Sequence, residues 1–277
     1  MLSSRRHSSS RRAGVSTRPR DGLAGLAFTA ARAGGRQVLR LLGDAGTRAR
    51  VDAADEHARD PVTAADLASD EAIRTVIGRR RPDDAWLTEE SGARPGTSGL
   101  RWVVDPLDGT VNVTRGILRF AVSVAVESES DGAVLAAAVV QPASGEWLVL
   151  DDGTVKASSG QAPGVSAREP GRALVAFAVP SPPAARRAAY TGLAVVAPRV
   201  QDLRNFGSTV CDLAAVATGR LDGFLSVDPK PWDLAAGVAL VEAAGGTSRR
   251  WHRSDGLCFL AVGGAAVVDA LHRWTDE

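Results

Sequence analysis

Two helix-patterned stretches, then a run of β-prone segments, then regular alternation of strand and helix predict a mixed α/β (α+β) protein with two layered halves. Three observations carry that prediction. Apolar residues Leu23, Leu26, Ala27, Ala30, Val38, Leu41 and Leu42 recur at helical spacing. Phe120–Val126 and Ala133–Val140 are apolar runs joined by a Ser/Asp/Gly turn at 128–132, a hairpin pattern. Beyond residue 171, short Val/Leu/Phe runs alternate with Ala-rich segments that end at glycines.

The elements follow in order. Asp21 is positioned to cap the first helix, and the polar, turn-rich stretch 43–59 reads as a mobile loop. A second helix begins near Thr63, whose hydroxyl precedes Asp66 by three residues in a capping-box spacing, and runs through Ile73 and Ile77 to Pro82. Trp102–Val104 reads as a buried strand that enters the turn Asp105-Pro106-Leu107-Asp108-Gly109-Thr110. Glu146–Leu150 adds a strand after the hairpin, and the Gly/Ser/Pro-rich stretch 157–171 divides the chain. Strands at 173–179, 200–203, 224–227 and 258–262 then alternate with helices at 183–193, 209–218, 232–244 and 265–274. The expected organisation is an Arg/Ser-rich disordered tail (1–20), an α+β half (21–160) that carries the acidic motifs, and an α/β half (161–277).

Composition narrows the function classes. Six arginines and no acid occupy residues 1–20, so the remainder holds 27 of the 33 Lys and Arg residues against all 32 Asp and Glu residues. A mildly acidic body argues against a nucleic-acid footprint and suits a pocket that collects cations. The longest apolar run, Ala133 to Val140, is far short of the ~20 residues that cross a bilayer, so no membrane partner is expected. The two cysteines, Cys211 and Cys258, lack zinc or disulfide spacing and read as small buried residues in a reducing compartment. His7, His57, His252 and His272 show no ligand spacing.

Chemistry is concentrated in four acidic signals: Asp66 at a helix start, Glu89 beside Glu90, Asp105 with Asp108, and Asp233 beside Trp232. Any one of them alone reads as a cap or a solvated acid. Asp105 and Asp108 do not, because Pro106 fixes φ and Gly109 permits a positive φ, so a preset turn aims both carboxylates into one cavity. Two such charges 4 Å apart repel by about 4 kcal/mol at an effective dielectric of 20. A divalent cation reverses that sign, and oxygen donors without His or Cys favour Mg²⁺ over zinc.

With these motifs in view, the sequence resembles the inositol monophosphatase family of metal-dependent, lithium-sensitive sugar phosphatases. Asp60-Pro61-Val62-Thr63-Ala64-Ala65-Asp66, Thr88-Glu89-Glu90-Ser91, Trp102 through Asn112, and Pro231-Trp232-Asp233-Leu234-Ala235-Ala236-Gly237 match its motifs in the family's order. The resemblance implies a layered αβαβα sandwich and hydrolysis of a small phosphate monoester by a metal-activated water, with Mg²⁺ as cofactor. It implies that Glu89, Asp105 and the Leu107 carbonyl hold one ion, and that Asp105, Asp108 and Asp233 hold a second. Asp66, Glu89 and Thr110 would be catalytic, Asp66 accepting the Thr110 hydrogen bond so that the hydroxyl faces the attacking water. Gly109, Thr110, Ser208, Thr209 and Ser226 would contact substrate. A cytoplasmic homodimer is the expected form.

The sequence departs from the pattern at the substrate end. Ser226 stands where inositol-specific members carry a glutamate that grips the sugar diol, and Lys230 is an unusual cation three residues before Asp233. Trp232 is expected to pack behind Asp233, and Arg204 with Gly207-Ser208 to approach the substrate. The expected substrate class is therefore an inositol-phosphate-like cyclitol, sugar or polyol phosphate, with plain inositol 1-phosphate either not the substrate or turned over only modestly. Alternatives are a histidinol-phosphatase, a 3′-phosphonucleotide phosphatase, and a non-catalytic regulatory binding protein such as some relatives are.

Overall fold

The computed structural model describes residues 22–44 and 63–276. The Arg/Ser-rich start, the Asp21 cap, most of the loop expected at 43–59 and the Asp60-Pro61-Val62 part of the first acidic motif lie outside the described residues.

Among the described residues, twelve strands form two sheets. The first contains β1 (Ala85–Thr88), β2 (Gly92–Arg94), β3 (Leu100–Asp108), β4 (Ala121–Ser128), β5 (Val134–Gln141), β6 (Glu146–Asp151) and β7 (Thr154–Ala157), in the order β2-β1-β3-β4-β5-β6-β7. The second contains β8 (Leu174–Ala178), β9 (Asp202–Arg204), β10 (Gly223–Val227), β11 (Thr247–His252) and β12 (Cys258–Gly263), in the order β11-β12-β10-β8-β9. Helices α1 (Leu23–Asp44) and α2 (Ala64–Gly78) cover the outer face of the first sheet. The five-residue α3 (Thr110–Thr114) follows β3. Helices α5 (Thr209–Ala217) and α6 (Pro231–Ala243) lie between the sheets, while α4 (Pro183–Val196) and α7 (Ala265–Asp276) cover the outer face of the second. The layers therefore read αβαβα.

Period-two alternation explains that layering. In β4, Val122, Val124 and Val126 join the core under α1 and α2, while Ala121 and Ala125 face the central helices. β5 repeats the pattern, with Ala136, Ala138 and Val140 outward and Ala137 and Val139 inward. In β10, Phe224 faces the central layer, and Leu225 and Val227 the core under α4 and α7. The alanines on the inner face make room for α6, which is apolar all round, as a helix packed on two sheets must be.

α5 and α6 meet most closely at Gly237. A Cβ there would lie 2.5 Å from Leu213 Cδ1 and 2.7 Å from Leu213 Cβ, which leaves no room for a methyl group. Gly237→Ala is expected to destabilise the fold by roughly 1–3 kcal/mol despite its better helix propensity, because overpacking outweighs it. The thermal midpoint should fall by about 5 °C in a calorimetric scan. An unchanged midpoint would mean that the two helices separate cheaply.

The structure corrects several sequence expectations. β2, β7 and β11 were not foreseen; each is a short edge or near-edge segment with at most one buried apolar residue, so no alternating apolar pattern marks it. β9 begins two residues later than the apolar run at Val200 suggests, because Val200 packs into the outer core instead. Cys211 is buried, its thiol pushed up to about 12 by burial, whereas Cys258 is only half-buried; both are free. No helix among the described residues is long and apolar enough to cross a membrane.

Candidate active site

Asp105 and Asp108 lie on β3 itself, around a bulge, and not on a free turn. Asp105 pairs with Ser123 and Asp108 with Ala121, so three steps along β3 oppose two along β4. Ser69 of α2 donates to the Pro106 carbonyl at 2.7 Å and pins the bulge from below. Gly109 then turns the chain at φ +96°; a side chain there would be strained and would press on the Arg119 carbonyl at 3.0 Å.

Parallel pairing brings Glu89 alongside. Thr88 of β1 sits opposite Val104 of β3, and the Glu89 amide donates to the Val104 carbonyl at 3.3 Å. Glu89 thus leaves the end of β1 next to Asp105. Asp233 arrives from the first turn of α6, with Pro231 preset at the helix start. Burial, and then the charges of Glu89, Asp108 and Asp233, hold the Asp105 carboxyl well above the usual carboxylate range. Asp105 itself is 1% exposed and accepts from the Leu107 amide at 2.9 Å.

Asp108 faces the start of α5. It accepts from the Ser208 hydroxyl, from the Val210 amide at 2.8 Å and from the Thr209 amide at 3.2 Å. Burial pushes its carboxyl up to about 6 against these hydrogen bonds. Asp66, third residue of α2, closes a capping box with Thr63 and lies 2.8 Å from the Thr110 hydroxyl. That hydroxyl is also 2.9 Å from the Leu107 carbonyl, so its single proton has two competing acceptors.

A cleft of about 440 Å³ gathers these groups except Asp66, which is buried behind it and meets the lining through the Thr110 hydroxyl. Glu89, Asp105, Leu107, Asp108 and Asp233 line it, as do Gly109, Thr110, Ser208 and Thr209. A larger cavity of about 930 Å³ lies along the opposite flank of α6, lined by apolar residues with Arg101, Glu127, Glu242, Ser248 and Arg250 and by none of those carboxylates. Chemistry follows the carboxylates, so the smaller cleft is the candidate site. Its donors suit a hard divalent cation: Glu89, Asp105, Asp108, Asp233 and the Leu107 carbonyl, with Asp212 as a fifth carboxylate in the lining and no His or Cys among the lining residues. As placed they form a cluster and not a finished coordination shell, and no group of three His, Cys, Asp or Glu side chains among the described residues is arranged as a ready metal site.

The inositol monophosphatase family model matches residues 20–275. The chain belongs to the inositol monophosphatase family. Inositol-1-monophosphatase of Rhizobium meliloti strain 1021 is 38% identical over 192 residues, 68% of this chain and 71% of that protein. Nus factor SuhB of Escherichia coli K12 is 36% identical over 201 residues, 71% of this chain and 74% of that protein. The crystal structure of extragenic suppressor protein suhB from Bartonella henselae matches with a TM-score of 0.80 at 30% identity, over 91% of this chain and 98% of that one.

Not every residue that the family resemblance singles out reaches the cleft. Ser226 is 3% exposed in β10, opposite Ala178 and Leu260, and is absent from the lining. It lies on a strand paired along both edges, between β8 and β12. Arg204 turns away to pair with Asp202 at 2.5 Å. Trp232 packs against the central core, as expected, but also lines the cleft, and its indole N–H is buried without a hydrogen-bond partner.

Three residues near the site went unnoticed in the sequence. Arg119 pairs with Asp212 of α5 at 2.6 Å and stacks 4.1 Å above the Phe206 ring. Burial pushes Asp212 up to about 7 against that pairing. Arg186 lines the cleft from the first turns of α4. Its signal was available: a cation early in a helix opposes the macrodipole.

Proposed function

We propose that this chain is a Mg²⁺-dependent phosphatase acting on a small phosphate monoester, a cyclitol, sugar or polyol phosphate. The observation that carries the reading is the convergence of Glu89, Asp105, Asp108 and Asp233, from three separate elements, on one cleft. Glu89, Asp105, Asp108, Asp233 and the Leu107 carbonyl would hold the cations. When bound, Mg²⁺ supplies Lewis acidity toward water and phosphate.

The chain's own groups do the rest. Gly109 and Thr110 present backbone amides where the scissile phosphate would sit. When Asp66 accepts the Thr110 hydroxyl's hydrogen bond, the Thr110 oxygen is left as acceptor for the attacking water and orients it. Ser208 and the α5 amides steady Asp108, and Asn112 ties α3 to the loop before α5 through the Arg119 and Phe206 carbonyls at 2.7 and 2.8 Å. With Ser226 covered, the diol grip of inositol-specific members has no counterpart there, so inositol 1-phosphate is not the best substrate. A homodimer is the proposed assembly.

A phosphate-release screen over inositol 1-phosphate, hexose and polyol phosphates, histidinol phosphate and a 3′-phosphonucleotide, with and without Mg²⁺, tests this. Release is expected only with Mg²⁺, and inositol 1-phosphate should not have the highest kcat/KM. Absence of Mg²⁺-dependent release from every ester would overturn the reading in favour of the regulatory one, which the similarity to proteins named Nus factor SuhB would then support.

A further inference from the structure

The cleft has two walls of different chemistry, and strand direction explains both. β1 and β3 run parallel, and their carboxyl ends deliver Glu89, Asp105 and Asp108. β8, β9 and β10 also run parallel to one another. The connections leaving β8 and β10 lead to Arg186 and Lys230, the two cations among the cleft's lining residues. The carboxyl ends of parallel strands are where such sheets bind ligands.

Both cations stand where the local structure disfavours them. Arg186 is the fourth residue of α4, and Lys230 occupies the N-cap position of α6, where a lysine has no acceptor to offer the helix amides. Neither gains an ion pair in return. The Arg186 guanidinium lies 5.8 Å from the Tyr190 ring centroid, a weak contact, and no carboxylate among the described residues pairs with Arg186 or Lys230. The neighbouring arginines are committed elsewhere, Arg119 to Asp212 and Arg204 to Asp202. Two cations against the helix dipole, without a direct ion pair among the described residues, line the cavity that also holds the carboxylate cluster, Lys230 exposed and Arg186 half-buried, and they match a ligand that carries negative charge on that side.

Resting on the phosphatase reading above, we infer that Arg186 and Lys230 form a second anion subsite, so that the preferred substrate carries a second anionic group beyond the scissile phosphate. The ester group meets the β1–β3 wall and the second anion meets the β8–β10 wall. A cleft of about 440 Å³ accommodates a doubly substituted hexose or similar polyol. The same chemistry disfavours histidinol phosphate, whose ammonium would face two like charges.

The test compares glucose 1,6-bisphosphate, glucuronate 1-phosphate and glucose 1-phosphate as substrates of the full chain with Mg²⁺, in the wild type, Arg186→Gln and Lys230→Met. The ratio of kcat/KM for bisphosphate over monophosphate is expected to exceed 10 in the wild type and to drop at least tenfold in each variant, carried mainly by KM. The glucuronate arm separates recognition of a phosphate from recognition of any anion. Equal losses on all three esters would place the cations on the scissile phosphate and overturn the inference, as would an unchanged ratio. If no ester is hydrolysed, the phosphatase reading fails by itself. Calorimetry of the same compounds then decides the subsite: it stands if the bisphosphate binds at least tenfold tighter than the monophosphate and the variants lose that margin, and it falls otherwise.

Discussion

Asp105→Asn is expected to lower Mg²⁺-dependent kcat/KM by at least about 10³-fold, on the order of 4 kcal/mol of transition-state stabilisation. Asn keeps the shape and the acceptor that the Leu107 amide uses at 2.9 Å, so the bulge should survive the substitution. What it removes is a negative charge that is 1% exposed and pressed by Glu89, Asp108 and Asp233. In chelator the variant should therefore melt no lower than the wild type, since a crowded buried charge has gone. With Mg²⁺ it should lose most of the wild type's thermal shift. Full activity in a folded variant would remove Asp105 from the cation set. Should Asn prove disruptive at so buried a position, Asp233→Asn, on the half-exposed first turn of α6, tests the same cluster.

The second large effect is a pH dependence that reverses with the cation. Asp105 and Asp108 are both raised chiefly by burial, Asp108 to about 6, and Asp212 is raised to about 7. Between pH 4 and 7 the folded chelated protein holds protons that the unfolded chain has already released. Stability is then greatest below the ordinary carboxylate value and is lost as pH rises through the folded values. Asp105 and Asp108 face each other and contribute to that loss together, in the same direction. The opposite behaviour of Asp84 lies outside it: there burial is outweighed by Arg81 and the Trp102 indole, the carboxyl is lowered, and its contribution fades only in stronger acid. In chelator the melting temperature should fall by about 5–10 °C between pH 4.5 and 7.5. Saturating Mg²⁺ should flatten that slope, so its stabilisation should be larger at pH 7.5 than at pH 5. A melting temperature that rises with pH in chelator would show that the cluster is not charged and crowded in the folded state.

The chain's layering was legible because its strands alternate cleanly. Val122-Ser123-Val124-Ala125-Val126 states both faces of β4, and the same period runs through β5 and β10. The metal-facing half of the cleft was legible for a different reason: Asp105, Pro106, Asp108 and Gly109 constrain one another within five residues. On the opposite side Lys230 stood out and Arg186 carried a readable signal at its helix start, but the Arg119–Asp212 pair did not, since it forms only through a tertiary contact between elements nearly a hundred residues apart. Ser226 shows the converse limit. A spacing of seven residues before Asp233 locates it on β10, but spacing does not report that β10 is paired along both edges and that Ser226 is buried there. β11 was missed because Arg249 and Arg250 occupy a solvent-facing edge, where charge protects the sheet and erases the apolar signal.

The place of α6 between the two sheets has a consequence for the chain as a whole. Because α6, together with α5, packs on the inner faces of both sheets, the stretch between β7 and β8 is a joint along the polypeptide without being a seam through the molecule. Neither sheet can be peeled away without opening the interior of the other. Asp233, seated at the tip of that shared spine, is therefore delivered to the bulge on β3 only once both sheets have closed around it, and an active cleft and a completed fold become one event.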